Sequence, residues 1–148
     1  MGAQKVSLRI VFDTNTVVSA LLFRAGRLDW LREVWHEKTV IPLTNKATAQ
    51  ELYRVLSYPK FGLPEADREE LLGDYLPFAE LVKMPARLPT LPRCRDADDQ
   101  KFVELAHVAK ASMLVTGDKD LLVLADKVKF RICEPGVLLQ ALEATKRI

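Results

Sequence analysis

The 148-residue sequence predicts an α/β fold: one domain, residues 1–148, with a parallel sheet of about four or five strands sandwiched by helices. Three observations predict it. The stretch "LRIVF", residues 8–12, is an unbroken apolar and β-branched run, the pattern of a strand covered on both faces. Strand-like runs of this kind alternate with helical patterns along the chain, as in sheets whose strands are joined by helices. Hydrophobic residues make up 49% of the chain, enough at this length to bury a core without disulfide staples.

Each element has its own signal. After "LRIVF", the segment "NTVVSALLF" reads as a first helix; Gly26 interrupts the pattern, and "LDWLREVWHEK" resumes it through Leu28, Leu31, Val34 and Trp35. "TVIPLT" is a short strand. Thr44 or Asn45 caps a helix over "KATAQELYRVLSY", and Pro59 closes it. "EADREELLGDYLPFAELV" is acidic at its start and helical in pattern, with a break near Pro77. "MPARLPTLPRCRD", with Pro85, Pro89 and Pro92, reads as an extended crossing over the surface. "DDQKFVELAHVAKA" is a helix with acidic N-terminal residues, "MLVT" a buried strand and "DKDLLVLAD" a short helix. "KFRIC" is a last strand, and "PGVLLQALEATKRI" a C-terminal helix with Pro135 near its start.

Composition excludes several classes. No apolar run nears the roughly 18–20 residues that cross a bilayer; the longest candidate is "TVVSALLF". The start "MGAQKVS" is polar and leads directly into a strand, so the sequence reads as a cytoplasmic protein with no membrane role. Cys94 and Cys133 lie far apart without metal-type spacing and read as two reduced, buried thiols. No Walker loop occurs, and no G-x-G-x-x-G follows a strand, which argues against a nucleotide cofactor.

The chemistry lies in the acids. In parallel sheets ligands bind outside the carboxyl ends of the strands. Asp13 ends the first strand, and Asp118, in "LVTGD", follows the strand "MLVT". Asp99 opens a helix after a loop. Glu51 sits in the third helix on the flank of an apolar face formed by Leu52, Val55 and Leu56. Each has a plainer explanation. Asp13 would cap the first helix, Asp99 would join Asp96 and Asp98 in complementing a helix dipole, Glu51 would be solvated, and Asp118 would compete with Asp120 as a cap. Taken together at one sheet edge, with no lysine or arginine from the same motifs to neutralise them, they point to a cation. A desolvated charge without a partner costs several kcal/mol. Without a cysteine or histidine cluster, oxygen donors favour Mg²⁺ or Mn²⁺. The net charge of +2 hides the layout: with four of the 20 acids gathered in one pocket, the rest of the chain is distinctly basic, carrying 22 Lys and Arg. A negative pocket in a basic rim suits a metal-bound phosphate backbone.

The stretches "RIVFDTNTVVSALL", "ATAQELYRVLSYPKF", "CRDADDQKFVELA" and "LVTGDKDLL" resemble, in that order, the successive motifs of PIN-domain nucleases, in particular the prokaryotic branch of toxin components of toxin–antitoxin pairs. The similarity spans Leu8 to about Leu142. It implies Asp13, Glu51, Asp99 and Asp118 as the catalytic, metal-binding acids, with Asn15 and Thr116 as supporting polar residues. Asp96 and Asp98 stand beside the third acid as further supporting residues, Asp98 being its alternative. The resemblance further implies cleavage of single-stranded RNA by metal-activated water, leaving a 5′ phosphate. An antitoxin protein is the implied partner. Arg24, Arg54, Lys60, Arg93, Arg95, Lys101 and Lys119 neighbour the motifs and are candidate RNA-backbone contacts, the alternative being solubilising surface charge. The apolar spacing of the second and fourth helices suits a homodimer face. Two other readings stand: a non-catalytic nucleic-acid or protein-binding module on the same fold, and a haloacid-dehalogenase-like phosphatase. The phosphatase would need a proton donor where Asn15 stands, and an amide does not transfer one.

Overall fold

The computed structural model describes residues 7–146 apart from 24, 25 and 27. Five parallel strands form one sheet in the order β3-β2-β1-β4-β5: β1 Leu8–Phe12, β2 Val40–Thr44, β3 Glu80–Leu81, β4 Met113–Val115 and β5 Arg131–Cys133. Around it lie α1 Thr14–Leu22, α2 Trp30–His36, α3 Lys46–Leu56, α4 Glu65–Gly73, α5 Gln100–Ala109, α6 Lys119–Leu122 and α7 Pro135–Lys146.

Alternation along the strands makes two cores. Ile10, Phe12, Met113 and Val115 pack on one face with residues of α1, α2, α3 and α7, including Leu21, Trp35, Leu56 and Leu138. Val11, Leu43, Leu114 and Ile132 point to the other, against Phe102, Leu105 and Ala106 of α5 and Leu121 of α6. A side chain pointing the opposite way on each successive residue is the strand period itself. Covering both faces explains why "LRIVF" carries no inner–outer polarity pattern.

The chain leaves β1 toward β2 and β3 on one side, then returns to β4 and β5 on the other. The order therefore reverses between β1 and β4, the place where an open α/β sheet has its crevice. Asp13 follows β1, and Asp118 lies three residues past the end of β4.

The structure departs from the expected elements at one segment. "AELV" was expected to extend a helix; Pro77 instead sits in a 3-10 turn, Leu76–Phe78, and Glu80–Leu81 continues extended as edge strand β3. Pro77 cannot continue the i→i−4 bonding, and the freed backbone pairs with Leu43 and Thr44. Glu80 is then held by Arg9 of β1 at 2.6 and 3.0 Å, a charged and very short edge that resists pairing with other chains. Of the two cap candidates for α3, Asn45 serves: it accepts from Thr48 N at 2.9 Å, and Thr48 Oγ1 accepts in return from Asn45 N at 3.0 Å. The apolar positions Leu31, Val34 and Trp35 of α2 are buried in the chain's own core. Among the described residues no helix is long and apolar enough to cross a membrane.

Lys110 closes α5 in the left-handed conformation at φ 52°. That conformation suits glycine, because a Cβ there crowds the following carbonyl. Lys110→Gly should therefore raise unfolding stability by about 1 kcal/mol in denaturant titration, without changing the slope.

Candidate functional site

Asp13 is 5% exposed. Its two oxygens have separate work. Oδ1 accepts from Thr16 N at 2.9 Å, which makes Asp13 the N-cap of α1, and Oδ2 accepts from the Thr116 hydroxyl. Thr116, fully buried just past β4, also accepts from Asp118 N at 3.0 Å. One hydroxyl thus joins the loop after β1 to the loop after β4. Burial pushes the Asp13 carboxyl up from its ordinary range, the Thr116 and Thr16 bonds pull it back, and the nearby Asp118 charge adds to the rise.

Asp118 caps α6 by accepting from Asp120 N at 2.8 Å. Across from it stands Asp99, at the end of a 3-10 turn over Ala97–Asp99. That turn is pinned from behind by Gln100, a buried side chain that accepts from Cys94 N at 2.7 Å and donates to Pro92 O at 3.1 Å. The proline-rich crossing is thereby stapled to the start of α5. The Asp99 carboxyl lies within hydrogen-bonding range of Asp118, an acceptor facing an acceptor, and its Oδ2 is buried with no donor. Burial first, then Asp118, Asp96 and Asp13, push Asp99 up to about 7. Asp98 and Asp96 are exposed, whereas Asp99 is half-buried and is the one of the three that faces Asp118. Asp96 serves as the cap of the turn, accepting from Asp98 N at 3.0 Å.

Glu51 is placed differently. Its Oε2 accepts from the Thr14 hydroxyl, while Oε1 lies 2.9 Å from Lys101 Nζ and 3.6 Å from Arg54 NH2. The expectation that the motifs bring no cation to neutralise their acids is thus corrected at Glu51. Lys101 and Arg54, expected on the RNA backbone, are its partners. Arg54 follows at i+3 on the same helical row, a pairing readable from spacing alone. Lys101 comes from α5, and only the fold brings it there. Thr14 and Thr16 escaped sequence reasoning: the buried hydroxyl of Thr14 and the amide of Thr16 do the holding, whereas Asn15 points to solvent. Lys60, Arg93, Arg95 and Lys119 are exposed, and Arg24 lies outside the described residues.

Oxygen-only donors suit a hard cation that keeps much of its water and needs only one or two carboxylates. Among the described residues no three such side chains close around one point as they stand. The facing pair Asp99 and Asp118, with the donorless Asp99 Oδ2, is the part that fits a cation. The Asp13 charge lies near both.

The PIN domain family profile matches residues 9–120. The chain belongs to the PIN-domain family. PIN domains are generally metal-dependent nucleases. This PIN domain is 29% identical over 128 residues to the uncharacterised protein MJ1680 of Methanocaldococcus jannaschii, covering 86% of this chain and 81% of that one. Its fold is similar to the crystal structure of PAE2754 from Pyrobaculum aerophilum, with a TM-score of 0.58 and 17% identity over 91% of this chain and 97% of that one.

The raised Asp99 carboxyl fixes a pH dependence. Unfolded, Asp99 ionises near 3.8; folded, it holds its proton to about 7. Between those values the native state binds the extra proton, so this group's contribution to stability is full in acid and is lost as pH rises toward 7. In chelator, wild type should lose melting temperature from pH 5.5 to pH 8 more steeply than Asp99→Asn. Added Mn²⁺ should raise the wild-type melting temperature more at pH 8, where no proton competes for the site. Parallel melting profiles for the two proteins would show Asp99 to be an ordinary surface acid.

Proposed function

We propose that this PIN domain is a Mg²⁺- or Mn²⁺-dependent ribonuclease that cleaves single-stranded RNA. One observation carries the reading: at the crevice between β1 and β4 two aspartates face each other with no side-chain cation between them among the described residues, beside a third that is buried. Asp99 and Asp118 would hold the ion, and Asp13, locked by Thr116 and Thr16 N, contributes fixed negative charge without freedom to swing. A divalent ion there would supply Lewis acidity, offsetting phosphate charge and making hydroxide available near neutral pH.

The remaining residues govern binding and direction. Water attacks phosphorus as the bond to the 3′ oxygen breaks; the oxygen of water stays on phosphorus as a 5′ phosphate, and the 3′ oxygen leaves with a proton as a hydroxyl. Exposed Arg93 and Arg95 precede the Asp99 turn, and Lys119 follows Asp118, so cations flank the acids on both sides. That layout draws a polyanion to an otherwise repulsive pocket. Exposed Tyr53 and Tyr58, near Lys60 at the end of α3, offer ring faces to unpaired bases, which favours a single strand over a duplex. A nucleophilic aspartate of the phosphatase kind is disfavoured, because both oxygens of Asp13 are occupied and the residue is buried. We extend the reading to a toxin countered by an antitoxin protein, on the motif resemblance.

Purified protein should cut a single-stranded RNA oligomer with Mg²⁺ or Mn²⁺ and fall silent in chelator. Asp118→Asn should lose at least about 100-fold in rate, the scale of removing one stabilising group from a charged transition state. Hydrolysis of small phosphate monoesters without RNA cleavage, or full activity in the variant, would overturn the reading. Induced expression should halt growth, and Asp118→Asn should relieve the arrest.

A further inference from the structure

The acids of the site differ in what they already hold. Asp99 Oδ2 is buried with no donor among the described residues, and Asp118 holds only the Asp120 amide, whereas both oxygens of Glu51 are engaged, by the Thr14 hydroxyl on one side and the Lys101 ammonium on the other. Glu51 and Lys101 are largely withdrawn from water, with side chains 12% and 18% exposed. Arg54, 62% exposed, lies at the rim, where screening makes its pairing weak. An ammonium is strongly hydrated, and Lys101 would not give up that water without Glu51 to receive it.

Lys101 is also tied to the aspartate side. Its Nζ donates to the backbone carbonyl of Asp98, the residue before Asp99, and its ammonium lies 5.4 Å from the centre of the Phe102 ring. Two of its three N–H donors are therefore spent on fixing its place, and one remains. A point charge held in position, with a donor to spare, is what a phosphate oxygen requires.

Resting on the nuclease reading above, we propose that Glu51 is a positioning residue for Lys101 and not a ligand of the divalent ion, and that Lys101 is a second cation built into the chain, contacting the scissile phosphate while the aspartates hold a single metal ion. Lys101 gives and takes no proton. It adds positive charge beside the phosphate as negative charge grows on its oxygens, and it returns to Glu51 unchanged. Glu51 keeps the ammonium aimed, and Thr14 keeps Glu51 from turning away.

The experiment is Mn²⁺ titration by calorimetry and electron paramagnetic resonance, on wild type, Glu51→Gln, Lys101→Met, Lys101→Arg and Asp99→Asn, followed by RNA cleavage kinetics. Wild type should bind one Mn²⁺ per chain. Glu51→Gln should keep the affinity within about 3-fold, whereas Asp99→Asn should lose roughly 100-fold, as for a ligand whose removal leaves its neighbours mispaired. Lys101→Met should bind Mn²⁺ at least as tightly as wild type, since a competing positive charge is gone, yet turn over about 100-fold more slowly. Lys101→Arg should recover part of that rate; a merely structural salt bridge would instead lower the melting temperature of Lys101→Met and leave the turnover of the folded protein unchanged, which would overturn the phosphate contact. The paired variant Glu51→Gln with Lys101→Met leaves only the exposed Arg54 without its partner, and it carries the titration should either single variant melt too early. Glu51→Gln losing Mn²⁺ as Asp99→Asn does, or wild type taking two ions and Glu51→Gln one, overturns the proposal. Wild type that binds one Mn²⁺ as expected but leaves RNA intact overturns the nuclease reading and the phosphate contact, while the assignment of Glu51 stands on the titration. Wild type that binds no Mn²⁺ overturns both.

Discussion

A carboxylate buried between the two halves of the sheet is the constraint on which the rest depends. Asp13 is nearly inaccessible to water, and an ion in that position is tolerated only if its oxygens are bonded. The amide of Thr16 and the hydroxyl of Thr116 meet that requirement. Hydrogen bonds to an ionised group contribute about 1.5–3 kcal/mol each, so two of them offset a desolvation cost of several kcal/mol. Because one bond starts α1 and the other comes from beyond β4, satisfying this single charge fixes the crevice where the strand order reverses. Thr116 then accepts from Asp118 N, so the position of one acid is passed to the next.

From that anchor the charges divide. On the aspartate side the described residues bring like charges together with no cation to separate them, and burial with that repulsion lets Asp99 hold its proton far above its ordinary range. On the glutamate side it supplies a lysine, an arginine and a threonine. A chain selected for stability alone would treat the two sides alike, since a lysine near Asp99 would relieve the same repulsion. The asymmetry leaves one half of the site with unrelieved like-charge strain, while the other half is already complete.

The layered fold was readable because each element carried its own local signal: an unbroken apolar run in β1, an Asn-capped helix in α3, a Pro-initiated helix in α7. Strand β3 was not readable. Two residues, Glu and Leu, have no period to detect, and only the backbone freed after Pro77 makes them a strand. The same division holds at the site. Asp13 and Asp118 were legible as strand-end acids, and Asp99 as the start of a helix, since position along one chain decides those. The choice of Asp99 over Asp98 depends on how the turn is rotated, which Gln100 sets by gripping Cys94 and Pro92 across the loop. The Lys101 contact with Glu51 joins residues 50 positions apart on two helices, and no local pattern announces it.

That rotation gives the proline-rich crossing a purpose beyond linking β3 to α5. Its prolines deny the segment helix and ladder bonding, so its polar backbone groups must be met by side chains or water. Two of them, Cys94 N and Pro92 O, are met by Gln100, the residue that immediately follows Asp99. Loss of Gln100 would leave a buried amide and carbonyl unsatisfied and would free the turn that aims Asp99 at Asp118. The site therefore reaches well beyond its acids. A residue with no charge, one position from Asp99, holds the turn in which that carboxylate faces Asp118.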